Sequence, residues 1–458
     1  MFSSPSIILV DDNQQELETI KKSFFEVGMA CLPLKYINDD PNINGIDPEK
    51  IPSSENLRVI VTDLNLTEAP NPKPVDLVGP LATMLQALDI KGPYILCVWS
   101  KLSNLVDDVM ELLQTRYHNS CPLPFHYSVI SKSELSEDPD ALQSKVESLV
   151  SENTLFDALL QWEYRVSAAA KRTTNELFSL AKSIDGIDSI DSSLSQLKII
   201  LSGIGNEALG IKNASDNPAL AVESGLTPVL EDQLRTFSPD NLDEKWRDAL
   251  PDLGRKLSLN NSIKSKLNTF YHVEEVCGDY PKSGRGIFVS LNKSFVEQDP
   301  NKFKNRLGKG ESSIINEEFI NPIGSKEDKA FRDKARGEII LGFLEVSPVC
   351  DHAQRKIKLP RYVLGALIPE EFEKLTYFIS GSETPRIRSH EGIYRFPNIK
   401  IRNNSFIFKL SFKYQIGAQP DDNKWFGEPI FRVKDQILSA ISFNGAQYES
   451  RPGLVSFW

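Results

Sequence analysis

Short apolar runs and helically spaced apolar positions alternate over the first third of the chain. Residues 7–10, 32–37, 59–62, 94–98 and 127–130 are mostly apolar or β-branched, as buried strands are. Between them, Leu17, Ile20, Phe24 and Val27 fall on one helical face, and 77–88, 105–113 and 141–150 are further helix candidates. Strands alternating with helices predict a doubly wound, five-stranded parallel sheet covered on both faces. Residues 39–56, rich in Pro, Asn, Asp and Ser, and 68–74, with three prolines, read as loops.

The pattern then changes twice. Residues 153–275 read as a helical linker or bundle, with candidates at 155–183, 194–209, 218–237 and 263–272. From 276 to 458, strand patterns at 286–291, 338–346, 362–367, 399–401 and 405–414 mix with short helices at 370–378 and 434–443. This predicts an α+β domain built on a small barrel or a curved antiparallel sheet. Residues 312–334 are polar and read as an insertion. The expected domains are therefore 1–152, 153–275 and 276–458.

Composition adds two limits. No apolar run reaches the ~18–20 residues a membrane span needs, and five irregularly spaced cysteines make no disulfide framework. A cytoplasmic protein without a membrane partner is expected. The net charge of −11 is uneven: residues 1–150 carry 11 Lys and Arg against 22 Asp and Glu, while 251–458 are net +7. That excess is scattered. Basic and aromatic residues interleave from Arg386 and Arg388 through Arg395, Lys400, Arg402 and Lys409, but sheet surfaces are often built so, and a nucleic-acid partner is not expected. The Gly/basic loops at 282–286 and 307–310 lack phosphate-loop spacing and read as turns.

Candidate chemistry gathers where strands end. Asp11 and Asp12 follow the first strand and Asp63 the third, so three carboxylates share one sheet edge, the edge at which open α/β sheets bind ligands. Ser100 follows the fourth strand and Lys132 the fifth. Clustered carboxylates suit Mg²⁺, one of them can be phosphorylated, and a lysine adds a point charge.

These positions resemble the receiver domain of two-component response regulators, over roughly residues 4–152. The resemblance implies that Asp63 accepts a phosphoryl group from a sensor histidine kinase. It implies that Asp11, Asp12, Asp63 and the Asn65 backbone carbonyl hold Mg²⁺, that Ser100 is the switch hydroxyl, and that Lys132 senses the phosphoryl group. Lys101 stands where the family has a small residue, Val129 where it has an aromatic (Tyr127 is nearest), and Ser133 where it has a proline. The expectation is a phosphoacceptor with a non-standard output. One such role is a phosphate sink competing with another response regulator, as in a bacterial defence system. A homodimer is left open.

Two other readings stand beside it. Cys350-Asp351-His352, with His272 and Cys277 upstream, could serve a receiver-regulated effector enzyme using zinc or a nucleophile. Ordinary packing is the simpler account of that triplet. Alternatively the receiver is degenerate and the chain is an interaction protein.

Overall fold

A computed structural model describes residues 6–26, 28–40, 43–51, 54–132, 139–182, 190–236, 241–276, 280–299, 301–320, 326–353, 356–377, 392–420, 422 and 424–450. Val27, Ser133, Cys277, Arg386 and Arg388 lie outside them. The chain divides into two compact units, 1–172 with 232–254, and 173–231 with 255–458.

In the first unit, β1 (Ile7–Asp11), β2 (Cys31–Lys35), β5 (Val59–Thr62), β6 (Ile95–Ser100) and β7 (His126–Ser131) form one sheet in the order β2-β1-β5-β6-β7. Every adjacent pair is parallel. Counted in chain order this is the 2-1-3-4-5 arrangement of flavodoxin-like and receiver-like sheets. Alternate residues face opposite cores. Ile8, Val10, Ile60, Leu96 and Val98 pack with helices α2 (Pro74–Leu88) and α3 (Val106–Tyr117). Leu9, Val61, Cys97 and Trp99 pack with α1 (Gln14–Glu26) and α4 (Pro139–Glu152).

Where a loop was expected after β2, the chain makes a hairpin, β3 (Ile37–Asp40) with β4 (Ile43–Gly45), followed by two 3-10 turns. Ile46 and Leu57 anchor this segment in the core. Helix α5 (Thr154–Lys182) continues the chain. The Arg58 guanidinium, at the start of β5, donates to both oxygens of Glu163 on α5. Lys245 on α9 (Leu242–Ala249) pairs with Asp157 at 2.7 Å. Between α5 and α9 the chain forms α6 (Ile190–Leu209), α7 (Ile211–Asp216) and α8 (Pro218–Thr236). Among the described residues, no helix is long and apolar enough to cross a membrane.

In the second unit, helix α10 (Asn261–His272) leads into an antiparallel sheet. Its order is β12 (Ile393–Arg395), β14 (Asn404–Gly417), β11 (Arg361–Pro369), β10 (Ile340–Glu345), β9 (Ile287–Leu291), β15 (Phe426–Val433) and β8 (Val273–Glu275). Strand β13 (Ile399–Ile401) also pairs with β14. Gly342 and Gly365 face each other across β10 and β11, and a Cβ on either would collide with the Phe288 ring. The segment read as an insertion is partly core: Ile314, Ile315, Phe319 and Ile320 are buried, and Lys326–Glu338 is helical.

Candidate functional site

Strands β1, β5, β6 and β7 end at one edge of the parallel sheet, and a cleft of about 480 Å³ opens there. Asp12, Asp63, Asn65, Ser100, Lys101 and Lys132 line it. Strand register brings the groups together: Val10 pairs with Thr62, so Asp11 and Asp63 end adjacent strands.

Asp11 is wholly buried, and its Oδ1 accepts the Asn13 N–H at 2.8 Å. Asp63 Oδ1 accepts the Leu64 N–H at 2.7 Å, which turns Oδ2 toward Lys132 Nζ at 2.9 Å. Lys132 Nζ also lies 3.4 Å from Asp11 Oδ2 and pairs closely with Glu16. The lysine side chain is only 8% exposed, so its ammonium is a resident cation among three carboxylates.

Burial pushes the Asp11 carboxyl up to about 7, against the opposing pull of Lys132. Burial raises Asp12 as well. Burial by itself lowers Lys132, but the carboxylates of Asp63, Glu16 and Asp11 outweigh it and raise the ammonium above its ordinary range. Three acids facing one base leave excess negative charge, and a proton or a divalent cation relieves it.

Asp11, Glu16 and Asp63 each offer an oxygen within 4.8 Å of the others, the one such metal-capable trio among the described residues. An all-oxygen donor set of this size fits Mg²⁺ or a similar hard ion. Asp12 lines the cleft outside that trio. The Asn65 carbonyl accepts the Glu68 N–H at 3.2 Å, closing the turn that follows β5. The Asn65 side chain braces the same turn against Ala69.

Ser100 is buried, and its hydroxyl oxygen accepts the Leu102 N–H at 3.1 Å. Lys101 is exposed at the cleft. Tyr127 shares a face of β7 with Val129, and its hydroxyl donates to Asp107 on α3 at 3.1 Å.

Sequence reasoning missed Glu16. Its signal was a position in the first turn of α1, four residues after Asp12, where an acid also favours the helix dipole. Away from this edge, His352 Nε2 lies 2.9 Å from Oε2 of the fully buried Glu345, whose Oε1 accepts the Ser347 N–H. His272 packs edge-on against Phe396. Neither histidine joins a metal-capable trio among the described residues.

No family model matches the chain, and no curated protein matches it. The resemblance to receiver domains therefore stands on strand order and on the residues at this edge.

Proposed function

We propose that this protein is a two-component signalling protein that accepts a phosphoryl group on Asp63 from a phosphohistidine of a partner kinase. The observation that carries the reading is the convergence of Asp63, Asp11 and Lys132 at one sheet edge, with Lys132 Nζ 2.9 Å from Asp63 Oδ2. In the transfer, a carboxylate oxygen of Asp63 attacks phosphorus, the P–N bond to the imidazole breaks, and the imidazole nitrogen leaves with the bonding pair. The product is an acyl phosphate. Asp11, Glu16 and Asp63 would hold Mg²⁺, which neutralises charge on the transferring group when bound. Lys132, already beside Asp63, supplies a second positive charge. The Ser100 hydroxyl keeps its proton available to a phosphoryl oxygen.

The output is non-standard, a phosphate sink being the simplest form. The support is Tyr127, whose hydroxyl is held by Asp107 on the surface side, together with Val129 in the position nearer the site. No aromatic ring on β7 stands ready to follow Ser100 inward.

The test is phosphorylation with acetyl phosphate and Mg²⁺, followed by detection of acid-labile phosphate. Wild type acquires one equivalent and Asp63→Asn none. An unlabelled wild type, or a labelled Asp63→Asn, overturns the reading.

A further inference from the structure

The cleft above Asp63 holds more negative charge than its own cations meet. Asp12, Glu16, Asp63 and Glu68 line it, and Asp11 is buried at the end of the adjacent strand. Lys101 and Lys132 are the lysines in that lining. Lys132 is 8% exposed and lies against Asp63, Asp11 and Glu16, so its charge is already shared among three carboxylates.

Lys101 differs on both counts. It is exposed, and it makes no ion pair among the described residues. Its backbone is nevertheless fixed. Ser100 before it is buried, and the Ser100 hydroxyl oxygen accepts the Leu102 N–H. Leu102 after it packs against the core, and its carbonyl accepts the Leu105 N–H at 3.0 Å. With both neighbours anchored, the lysine stem is what this turn gives to the cleft. The adjoining loop offers less, because the Asn65 side chain is bonded at both its amide nitrogen and its amide oxygen to Ala69.

A phosphoryl donor arrives with roughly two negative charges on the group it transfers. A bound divalent ion and Lys132 together bring three positive charges against the five carboxylates of Asp11, Asp12, Glu16, Asp63 and Glu68. Such a cleft repels the donor, whereas an exposed cation within it raises the rate of encounter.

We propose that Lys101 captures the phosphoryl donor, its ammonium meeting the outer oxygens of the incoming group while Asp63 attacks. This rests on the phosphoacceptor reading of Asp63 and deepens it: the cleft selects phosphoryl compounds that present two ionised oxygens. It also gives a use to the departure from the receiver pattern at this position. A small residue there leaves room, and a lysine supplies charge.

The test compares transfer from acetyl phosphate with Mg²⁺, read as acid-labile phosphate, in wild type and three variants. At ~20 mM salt the second-order rate falls about tenfold in Lys101→Ala and further in Lys101→Glu, while Lys101→Arg stays within about twofold of wild type. At ~0.5 M salt the differences narrow, because screening removes the contribution of an exposed charge and leaves a structural one untouched. A second readout needs no transfer. Asp63→Asn broadens the phosphorus NMR line of inorganic phosphate, and adding Lys101→Ala abolishes the broadening. Transfer at the wild-type rate in Lys101→Ala overturns the proposal. So does a loss that is equal at both salt concentrations or that Lys101→Arg fails to rescue, since that marks a role in the turn. A wild type that takes no label fails the reading of Asp63 instead, and the phosphate line then decides for or against Lys101 by itself.

Discussion

The Lys132 ammonium lies 4.6 Å from the centre of the Trp99 ring, on the side of the sheet packed by α1. The indole Nε1 is buried and has no hydrogen-bond partner among the described residues. Trp99 is thus a native reporter of where the lysine sits. Adding Mg²⁺ to metal-free protein, which repels or draws away the ammonium, should change Trp99 emission saturably, and EDTA should reverse the change. The effect should vanish in Trp99→Phe and in Asp63→Asn. A flat titration in wild type would show that no divalent ion reaches the carboxylates.

Lys132→Ala leaves buried Asp11 and Asp63 without their cation. Breaking a buried pair from one side costs about 3 kcal/mol. The variant should unfold at lower urea than wild type, and Mg²⁺ should stabilise it more than it stabilises wild type. Urea melts with and without the metal check this.

Glu16→Gln removes one of three charged donors while keeping its size. Ligand charge count sets the affinity of hard-ion sites, so Mg²⁺ binding should weaken about tenfold, roughly 1.4 kcal/mol. Asp12→Asn, outside the trio, should weaken it less. Isothermal titration on the two variants ranks them, and the reverse ranking would return Asp12 to the place the sequence suggested.

A pH effect comes from the second unit. Lys409 is 1% exposed and donates to the carbonyls of Phe319 and Thr376 at 3.0 and 3.1 Å. Burial, helped by nearby Arg395, pushes its ammonium down to about 7. Between pH 7 and the ordinary lysine range near 10.5, the unfolded chain therefore holds a proton that the folded chain has released. Stability contributed by this group rises with pH across that window. Lys409→Met should flatten that rise for the transition of this unit, by an amount on the order of a few kcal/mol. Urea melts at pH 7 and pH 9 measure the difference.

The parallel sheet was legible because its strands are buried on both faces. Val59, Ile60, Val61 and Thr62 all vanish from solvent, so an uninterrupted apolar run ending in Asp63 could be little else. Strand β15 escaped notice because Gly427 and Pro429 interrupt it. The proline sits where the β9–β15 register shifts, a place that tolerates a missing N–H. The hairpin at β3 and β4 is too short and polar to show a period. At the site, Asp11, Asp63, Ser100 and Lys132 could be placed because each ends a strand, and strand ends align. Glu16 reaches the cluster from a helix, across a change of geometry that linear spacing does not encode.

Strand β5 carries Arg58 just before it and Asp63 just after it. Extended chain rises about 3.3 Å per residue, so these two groups are the ends of a rod about 17 Å long, with no loop between them to take up slack. One end sits among the carboxylates, and the other grips Glu163 on α5. Laddered to β1 on one side and β6 on the other, the strand holds that spacing fixed. The Glu163 clasp on α5 and the carboxylate cluster thus take their positions from one and the same strand.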